Sequence, residues 1–224
     1  MRIAEIFYSI QGEGALAGVP SIFVRTSGCN LRCVWCDTPY TSWQPEGDEL
    51  SIDEILARVD GYPQARHVVL TGGEPMIAPQ VAELTERFRA RGLHTTIETA
   101  GTVFKPVACD LMSISPKLAH STPPGVWEST HERLRIQPDV LQRLMSAYPY
   151  QLKFVVARPE DMEEIGSLLD RVAADRSRVV LMPEGIDPET LRQRGVWLAE
   201  ICKREGFRFS PRLHVDLYGN TRGT

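Results

Sequence analysis

Three cysteines close together carry the clearest chemical signal in this chain. Cys29, Cys33 and Cys36 form a C-x3-C-x2-C motif that follows Gly28, just after a predicted strand. Thiolates at this spacing in a loop can converge on one inorganic centre, and three of them bind three irons of a 4Fe–4S cubane. The fourth iron then keeps an open coordination position, which catalysis requires. The motif therefore predicts an iron–sulfur cluster that binds a further ligand.

A zinc site and unrelated buried thiols are the alternatives for these cysteines. Zinc usually takes four ligands. No histidine lies between residues 1 and 66, so a fourth ligand would have to come from a distant part of the chain. Three thiols within one short loop also make unrelated buried cysteines a poor explanation. Cys109 and Cys202 stand apart, and we interpret them as core or surface residues with no ligand role.

Polar or glycine-rich segments follow three of the predicted strands. They are TGGEP at residues 71–75, ETAG at 98–101 and SPK at 115–117. Ligands of barrels and open α/β sheets bind at the carboxyl ends of the strands, so we expect these segments to face one site. Glycines in the first segment let backbone carbonyls approach a ligand, and Pro75 sets the bend. A simple strand-to-helix turn is the alternative interpretation of GGEP taken alone.

The elements that must position these residues alternate between strands and helices. Apolar, β-branched runs predict strands at residues 21–26, 67–71, 94–98, 111–115, 152–157, 178–182 and 207–209. Apolar periodicity and capping residues predict helices at 51–59, 162–172 and 188–205. A further helix is predicted with Pro79 in its first turn and with Val81, Leu84 and Phe88 on its apolar face. This α/β alternation predicts an incomplete (β/α) barrel with about six parallel strands. Loops or insertions are expected at residues 44–48 and 120–137.

Composition and charge narrow the class of protein. The chain has 224 residues, and its net charge of −4 comes without a basic stripe, which argues against nucleic-acid binding. The N-terminus is not a signal peptide, and no stretch approaches the length of a membrane span. We therefore expect a cytoplasmic protein with reduced thiols. We also expect a single domain over residues 1–224, with an insertion near 118–137 and a C-terminal tail from about 210.

Two motifs resemble those of the radical SAM superfamily, whose members use S-adenosylmethionine (SAM). GCNLRCVWC at residues 28–36 resembles the cluster motif, with Trp35 at the aromatic position near the adenine. GGEP at residues 72–75 resembles the superfamily's motif after its second strand, which reaches the SAM amino group. The resemblance implies that SAM is the further ligand of the open iron.

The N-terminal part of the chain resembles one family within that superfamily. EIFYSIQGEG at residues 5–14, FVR at 23–25 and CDT at 36–38 are similar to the 7-carboxy-7-deazaguanine synthase family. The likeness runs from about residue 4 to 40 and resumes at residues 71–75, 98–101, 115–117 and 152–153. It fades from residue 118 to 150.

The resemblance implies a reaction as well as a fold. The chain would be a carbon–nitrogen lyase that converts 6-carboxy-5,6,7,8-tetrahydropterin to 7-carboxy-7-deazaguanine with loss of ammonia, in 7-deazapurine or queuosine biosynthesis. A 5′-deoxyadenosyl radical would take the C6 hydrogen, and SAM would be regenerated. Mg²⁺, a flavodoxin or ferredoxin reductant and a homodimer are implied too. A glycyl-radical-enzyme activating enzyme and a non-catalytic iron–sulfur protein remain as alternatives.

The resemblance also implies roles for individual residues, with no catalytic side chain beyond the cluster and SAM. Thr38 would bind Mg²⁺, although a turn-forming threonine before Pro39 is the alternative. The residues implied for SAM are Gly73, Glu74, Glu98, Ser115, Pro116, Lys117, Met182 and Pro183. The residues implied for the substrate are Ile10, Gln11, Gly12, Arg25, Thr71 and His214.

Arg25 and the C-terminal tail are the two parts of the implied substrate site for which an alternative interpretation exists. Arg25 is a cation at a strand end, and its planar fork suits a carboxylate, although a surface charge is the alternative. His214 and Tyr218 lie in a tail that resembles a family ending close to the substrate. A histidine in a tail is more often merely exposed.

Overall fold

A single sheet of nine strands organises the computed structural model, which describes residues 1–224. The strands are β1 (Arg2–Ile10), β2 (Pro20–Thr26), β3 (Asp48–Glu49), β4 (His67–Gly72), β5 (His94–Thr99), β6 (Leu111–Ile114), β7 (Tyr150–Val156), β8 (Val179–Pro183) and β9 (Arg208–Phe209). Their order across the sheet is β3-β1-β2-β4-β5-β6-β7-β8-β9. The ends of this order do not pair, so the barrel is incomplete, as predicted.

The direction of the strands changes at β2. From β2 through β4 to β8 the six main strands run parallel, and the two-residue β9 continues that pattern. On the other side, β1 is antiparallel to both β2 and β3. Apolar runs in the sequence predicted the parallel strands but neither β1 nor β3. In β1 most residues are only half-buried, so its sequence lacks the continuous apolar run that marks the parallel strands.

Seven helices accompany the sheet. They are α1 (Ile52–Asp60), α2 (Val81–Arg89), α3 (Glu128–Arg135), α4 (Pro138–Ala147), α5 (Asp161–Arg171), α6 (Pro188–Glu205) and α7 (Leu213–Tyr218). The buried faces of α1, α2, α4, α5 and α6 join the strands in one hydrophobic core of 36 residues. Cys109 and Cys202 belong to this core, as the sequence predicted. None of the helices has the length and apolar character needed to cross a membrane.

Local signals set most helix ends where the sequence placed them. Ser51 and Glu54 form a reciprocal capping box at the start of α1. Gly206, with a φ of 73°, ends α6 in the left-handed conformation that glycine tolerates. The expected helical turn at Pro79 is wrong, because a short 3-10 turn at Pro75–Ile77 comes first and α2 begins only at Val81.

The predicted loop at residues 120–137 also differs from the structure. It contains α3, in which Leu134 is the one apolar residue and His131 the one buried residue. A helix with one buried residue shows no apolar periodicity, so the sequence pattern could not reveal it. The helices α4 and α7 were likewise not predicted.

Candidate active site

One cavity of about 470 Å³ opens at the carboxyl ends of the parallel strands. All but three of the residues expected to bind the cluster, Mg²⁺, SAM or substrate line it. Those that do are Ile10, Gln11, Gly12, Arg25, Cys29, Cys33, Cys36, Thr38, Thr71, Gly73, Glu98, Ser115, Lys117, Met182 and His214. The fold therefore gathers residues from both ends of the chain around one space.

The three cysteines of the loop after β2 have the chemistry of a cluster site. All three are free thiols that line the cavity. Burial raises the pKa of Cys29 and of Cys33 to about 12, so both stay protonated until a cation replaces the proton. Three thiolates suit the three protein-bound irons of a cubane, and the donor set fits a 4Fe–4S cluster.

The zinc alternative finds no support in the arrangement of possible ligands. Zinc would need its ligands gathered around one point. No three His, Cys, Asp or Glu side chains are close enough to hold a single ion in this way.

The expected Mg²⁺ ligand Thr38 lies in the cysteine loop, and its hydroxyl is 3.8 Å from Cys36 Sγ.

The GGEP turn packs directly against the cysteine loop. Glu74 donates its backbone N–H to the Gly28 carbonyl over 2.9 Å, and Gly28 donates to the Thr41 carbonyl over 2.8 Å. A Cβ on Gly73 would overlap the Gly28 carbonyl oxygen. Glycine at this position is therefore required by the contact between two protein segments, in addition to any ligand.

Three residues expected to contact SAM have side chains that do not line the cavity. The Glu74 carboxylate is fully buried and accepts hydrogen bonds from Thr99 Oγ1 and from the Met76 and Ala100 backbone N–H groups. Its side chain thus joins the ends of β4 and β5. Pro116 is buried beside the cavity, and Pro183 lines a separate shallow groove. A motif position does not reveal the direction of a side chain, which explains these differences.

Residues 118–137 hold the cysteine loop from outside. Trp35 Nε1 donates to His120 Nδ1 over 2.9 Å, and the Arg32 backbone N–H donates to His131 Nδ1 over 3.1 Å. The Arg32 guanidinium also stacks on the Trp127 ring at 4.5 Å. Residues 120–137, expected to be a loop or insertion, therefore pack against the cysteine loop and stabilise it.

Hydrogen bonds connect two of the predicted substrate residues to Glu98 in the same cavity. Glu98 accepts from Gln11 Nε2 over 3.1 Å and from Thr71 Oγ1 over 2.8 Å. Gly12 lies against the His214 ring, and a Cβ on Gly12 would overlap that ring. Burial lowers the pKa of His214, so its imidazole is neutral near pH 7. His214 is therefore a half-buried residue of the cavity wall rather than an exposed tail residue.

A network of largely buried charges around the same cavity was not predicted. Arg212 Nε donates to Glu13 over 3.0 Å, and its terminal nitrogens donate to Asp37 and to the Gly185 carbonyl. Lys153 donates to the other oxygen of Glu13. Burial alone would raise the pKa of Glu13, but Lys153 and Arg212 hold it well below its ordinary value of 4.5.

The members of this charged network are far apart in the sequence. Glu13 and Arg212 are 199 positions apart, and Glu13 and Lys153 are 140 apart. Glu13 and Asp37 lie within motifs that the sequence analysis examined, but nothing near them indicates a partner. The one signal in the sequence was that Glu13 and Asp37 are acidic residues in turns that do not require a charge.

Comparisons with known proteins agree with this geometry. The family model described as the radical SAM superfamily matches residues 23–140. The 7-carboxy-7-deazaguanine synthase of Halobacterium salinarum is 48% identical, with 100% of this chain and 93% of that protein covered. The synthase of Rhodopirellula baltica is 43% identical, covering 100% of this chain and 89% of that protein.

A solved structure gives the same result at the level of the fold. The crystal structure of QueE from Escherichia coli has a TM-score of 0.71 to this chain at 30% identity, covering 95% of this chain and 94% of that one. Matches over nearly the whole length exclude a shared fragment as the reason for the likeness. The chain belongs to the 7-carboxy-7-deazaguanine synthase family of the radical SAM superfamily.

Proposed function

We propose that this chain converts 6-carboxy-5,6,7,8-tetrahydropterin to 7-carboxy-7-deazaguanine with loss of ammonia. One observation carries the proposal: the cysteine loop and Arg25 line the same cavity, so a cluster and a carboxylated ligand can meet there. Family membership supports the choice of substrate. The substrate's carboxylate and its polar ring edges match the Arg25 guanidinium and the hydrogen-bonding groups that line the cavity.

Cys29, Cys33 and Cys36 would hold a 4Fe–4S cluster, and the backbone of the adjacent GGEP turn would face SAM. When bound, the cluster and SAM supply radical chemistry that removes a hydrogen atom from carbon. The neighbouring wall offers Lys117, whose Nζ donates to Ser115 Oγ over 3.0 Å and lies 5.7 Å from the Trp35 ring centre. This wall would orient SAM and exclude water. Met182 would line the adenine side.

The substrate would lie between Arg25 and the polar groups of Gln11, Thr71 and Glu98. Arg25 would bind its carboxylate, since charge-assisted bonds to a guanidinium fork are strong and directional. The amide, hydroxyl and carboxylate would hydrogen-bond the pterin ring. A site built from buried polar groups rejects ligands that leave those groups unpaired. Thr38 would supply one oxygen ligand to Mg²⁺, which prefers oxygen ligands and retains several waters.

The test is product formation by the reconstituted protein. The protein is loaded anaerobically with iron and sulfide, reduced, and given SAM, Mg²⁺ and the carboxylated pterin. Mass spectrometry should detect 7-carboxy-7-deazaguanine without SAM being consumed in proportion. Release of 5′-deoxyadenosine with no product would overturn the substrate assignment, and glycyl-radical formation on a partner protein would then be examined.

A matched pair of variants tests the role of Arg25. Arg25→Ala should lose binding of the carboxylated substrate, whereas Arg58→Ala, on the outer helix α1, should bind normally. Normal turnover by Arg25→Ala would show that another group binds the carboxylate. Both variants should retain the same iron content, because neither residue contacts the cysteine loop through a side-chain hydrogen bond.

The remaining expectations form part of the same proposal. The chain would act as one domain and as a homodimer in the cytoplasm, with a flavodoxin or ferredoxin supplying the electron. The shared sheet and single core support the one-domain view. Membership of the family supports the other three. Light scattering of the purified protein measures its mass directly, and a monomer would remove the dimer from the proposal.

A further inference from the structure

We infer that Glu5 is a positioning residue that orients Arg25 for end-on binding of the substrate carboxylate. The inference rests on the proposed function, because it assigns Arg25 a carboxylated ligand. Glu5 is the first residue of the EIFYSIQGEG motif, but the resemblance implied no role for it in the site. Glu5 lines the cavity, yet its two oxygens are engaged by protein groups, so its effect on a ligand has to pass through its neighbours.

A β-bulge brings Glu5 opposite Arg25. In the β1–β2 ladder Ile3 pairs with Thr26, but the next pair is Glu5 with Arg25, so Ala4 is the extra residue. Continued without the bulge, the register would place Ala4 opposite Arg25. Directly opposed residues of an antiparallel pair point to the same face, so the bulge turns the carboxylate toward the guanidinium.

The contacts of Glu5 leave only part of Arg25 free. Glu5 Oε1 accepts from Arg25 Nε over 2.7 Å and from the Tyr40 hydroxyl over 2.8 Å. Arg25 makes no other side-chain hydrogen bond, and Phe7 lies under its guanidinium at 5.8 Å. With Nε occupied, only the two terminal nitrogens can donate to a ligand. A carboxylate would therefore bind end-on to those two nitrogens.

The second oxygen of Glu5 connects this arrangement to the C-terminal segment. Glu5 Oε2 accepts from Arg222 Nε over 3.2 Å, while Arg222 also donates to Glu46 and to the Ala4 carbonyl at the bulge. The Arg222 guanidinium stacks on Tyr40 at 4.1 Å. Residues 220–224 line the cavity, and Arg222 is the member of this segment whose side chain bonds outside the tail. Glu5 is thus held from two sides.

The test compares two ligands in Glu5→Gln. Equilibrium binding is measured for the carboxylated pterin and for tetrahydropterin without the carboxylate, in the iron-loaded protein with SAM. The variant should weaken binding of the carboxylated ligand about tenfold, because the charge-assisted bond that orients Arg25 becomes a weaker bond to a neutral amide oxygen. Binding of the ligand without the carboxylate should change less than about twofold. A merely structural role would weaken both ligands equally and would overturn the inference.

Further variants cover misfolding and dependence on the proposed function. Glu5→Asp keeps the charge and should give an intermediate loss, and Tyr40→Phe should give a smaller loss in the same direction. Glu46→Gln removes only the outer contact of Arg222 and should leave both affinities unchanged. If Glu5→Gln fails to fold, Tyr40→Phe decides, and an unchanged ligand preference there overturns the inference.

Arg25→Ala separates the two levels of the argument. If Arg25→Ala loses the preference for the carboxylate while Glu5→Gln keeps it, the inference fails and the proposed function stands. If Arg25→Ala keeps the preference, the assignment of Arg25 fails and the inference fails with it. Support requires that both variants lose the preference while their iron content equals that of the wild type.

Discussion

Two parts of the cavity wall are built in different ways. The cluster part consists of the cysteine loop and the GGEP turn, which meet through backbone hydrogen bonds such as Glu74 to Gly28. The charged part is the Glu13, Asp37, Lys153 and Arg212 network, in which side chains from both halves of the chain meet and Asp37 comes from the cysteine loop itself. Short motifs mark the first part in the sequence, whereas the second part becomes apparent only in the folded protein.

The two parts also differ in how they depend on a ligand. Burial keeps the thiols of Cys29 and Cys33 protonated until iron binds, so the cluster part is completed by its cofactor. The charged network is already satisfied, since every charge in it has a partner. The charged network is therefore preorganised, whereas the cluster part is completed by assembly. Mutations in either part test this contrast.

Loss of one cluster ligand should have the largest effect. Cys33→Ala should abolish detectable product and reduce the iron and sulfide content, because two thiolates cannot hold the cubane. Cys109→Ala is the matched control, since that buried thiol lies in the core away from the cavity. Its iron content should equal that of the wild type. Full iron content in Cys33→Ala would contradict the assigned ligand set.

Removal of Arg212 should have the largest effect on folding. Arg212→Met would leave Glu13 with Lys153 alone and would leave Asp37 without a cation. Because Glu13 keeps a partner and the Asp37 side chain is 36% exposed, we expect a cost of about 2–3 kcal/mol of unfolding free energy, below that of a fully broken buried pair. Arg192→Met, at the exposed pair with Glu189, should cost less than about 1 kcal/mol. Urea denaturation measures both. Equal losses would mean that the network is not the preorganised element we describe.

Contact between the two short motifs should be sensitive to a single methyl group. Gly73→Ala places a Cβ against the Gly28 carbonyl and should cost about 1–3 kcal/mol of unfolding free energy. Iron content should fall as well, because the cysteine loop is displaced. Gly166→Ala meets open space within α5 and should stabilise the protein by about 0.5–1 kcal/mol. The opposite signs provide an internal control for the denaturation measurement.

Acid should weaken the charged network, and so lower the unfolding free energy, by protonating Glu13. The folded pKa of Glu13 lies below its ordinary value of 4.5, so its stabilising effect is fully present above that value and is lost as pH falls further. Glu13→Gln should therefore show a shallower loss of unfolding free energy between about pH 6 and about pH 3 than the wild type. Identical slopes would indicate that Glu13 has an unshifted pKa.

The same contrast explains how much the sequence could predict. The cysteine motif, the GGEP turn and the six parallel strands follow local rules of spacing and apolar runs, so they were found. The partner of Glu13 could not be found, because Arg212 approaches it only after the whole sheet has formed. Likewise, the side chain of Glu74 turns away from the cavity although its motif lies beside it, and sequence spacing carries no information on that direction.

The strand β1 shows the same limit for the fold. Its residues are half-buried against β2 and β3, and a bulge at Ala4 changes its register. A bulge shifts every side chain beyond it, so even a correct strand prediction would have put the wrong residue opposite Arg25. The role inferred for Glu5 could come only from the structure.

Isotope transfer tests most directly whether the cluster part of the cavity and Arg25 act on one substrate. The iron-loaded protein receives the carboxylated pterin with deuterium at C6, together with SAM, Mg²⁺ and a reductant, and the recovered SAM is examined by mass spectrometry. We expect 7-carboxy-7-deazaguanine together with deuterium in the recovered SAM, and neither from Arg25→Ala. Product formation with no deuterium in SAM would contradict the account.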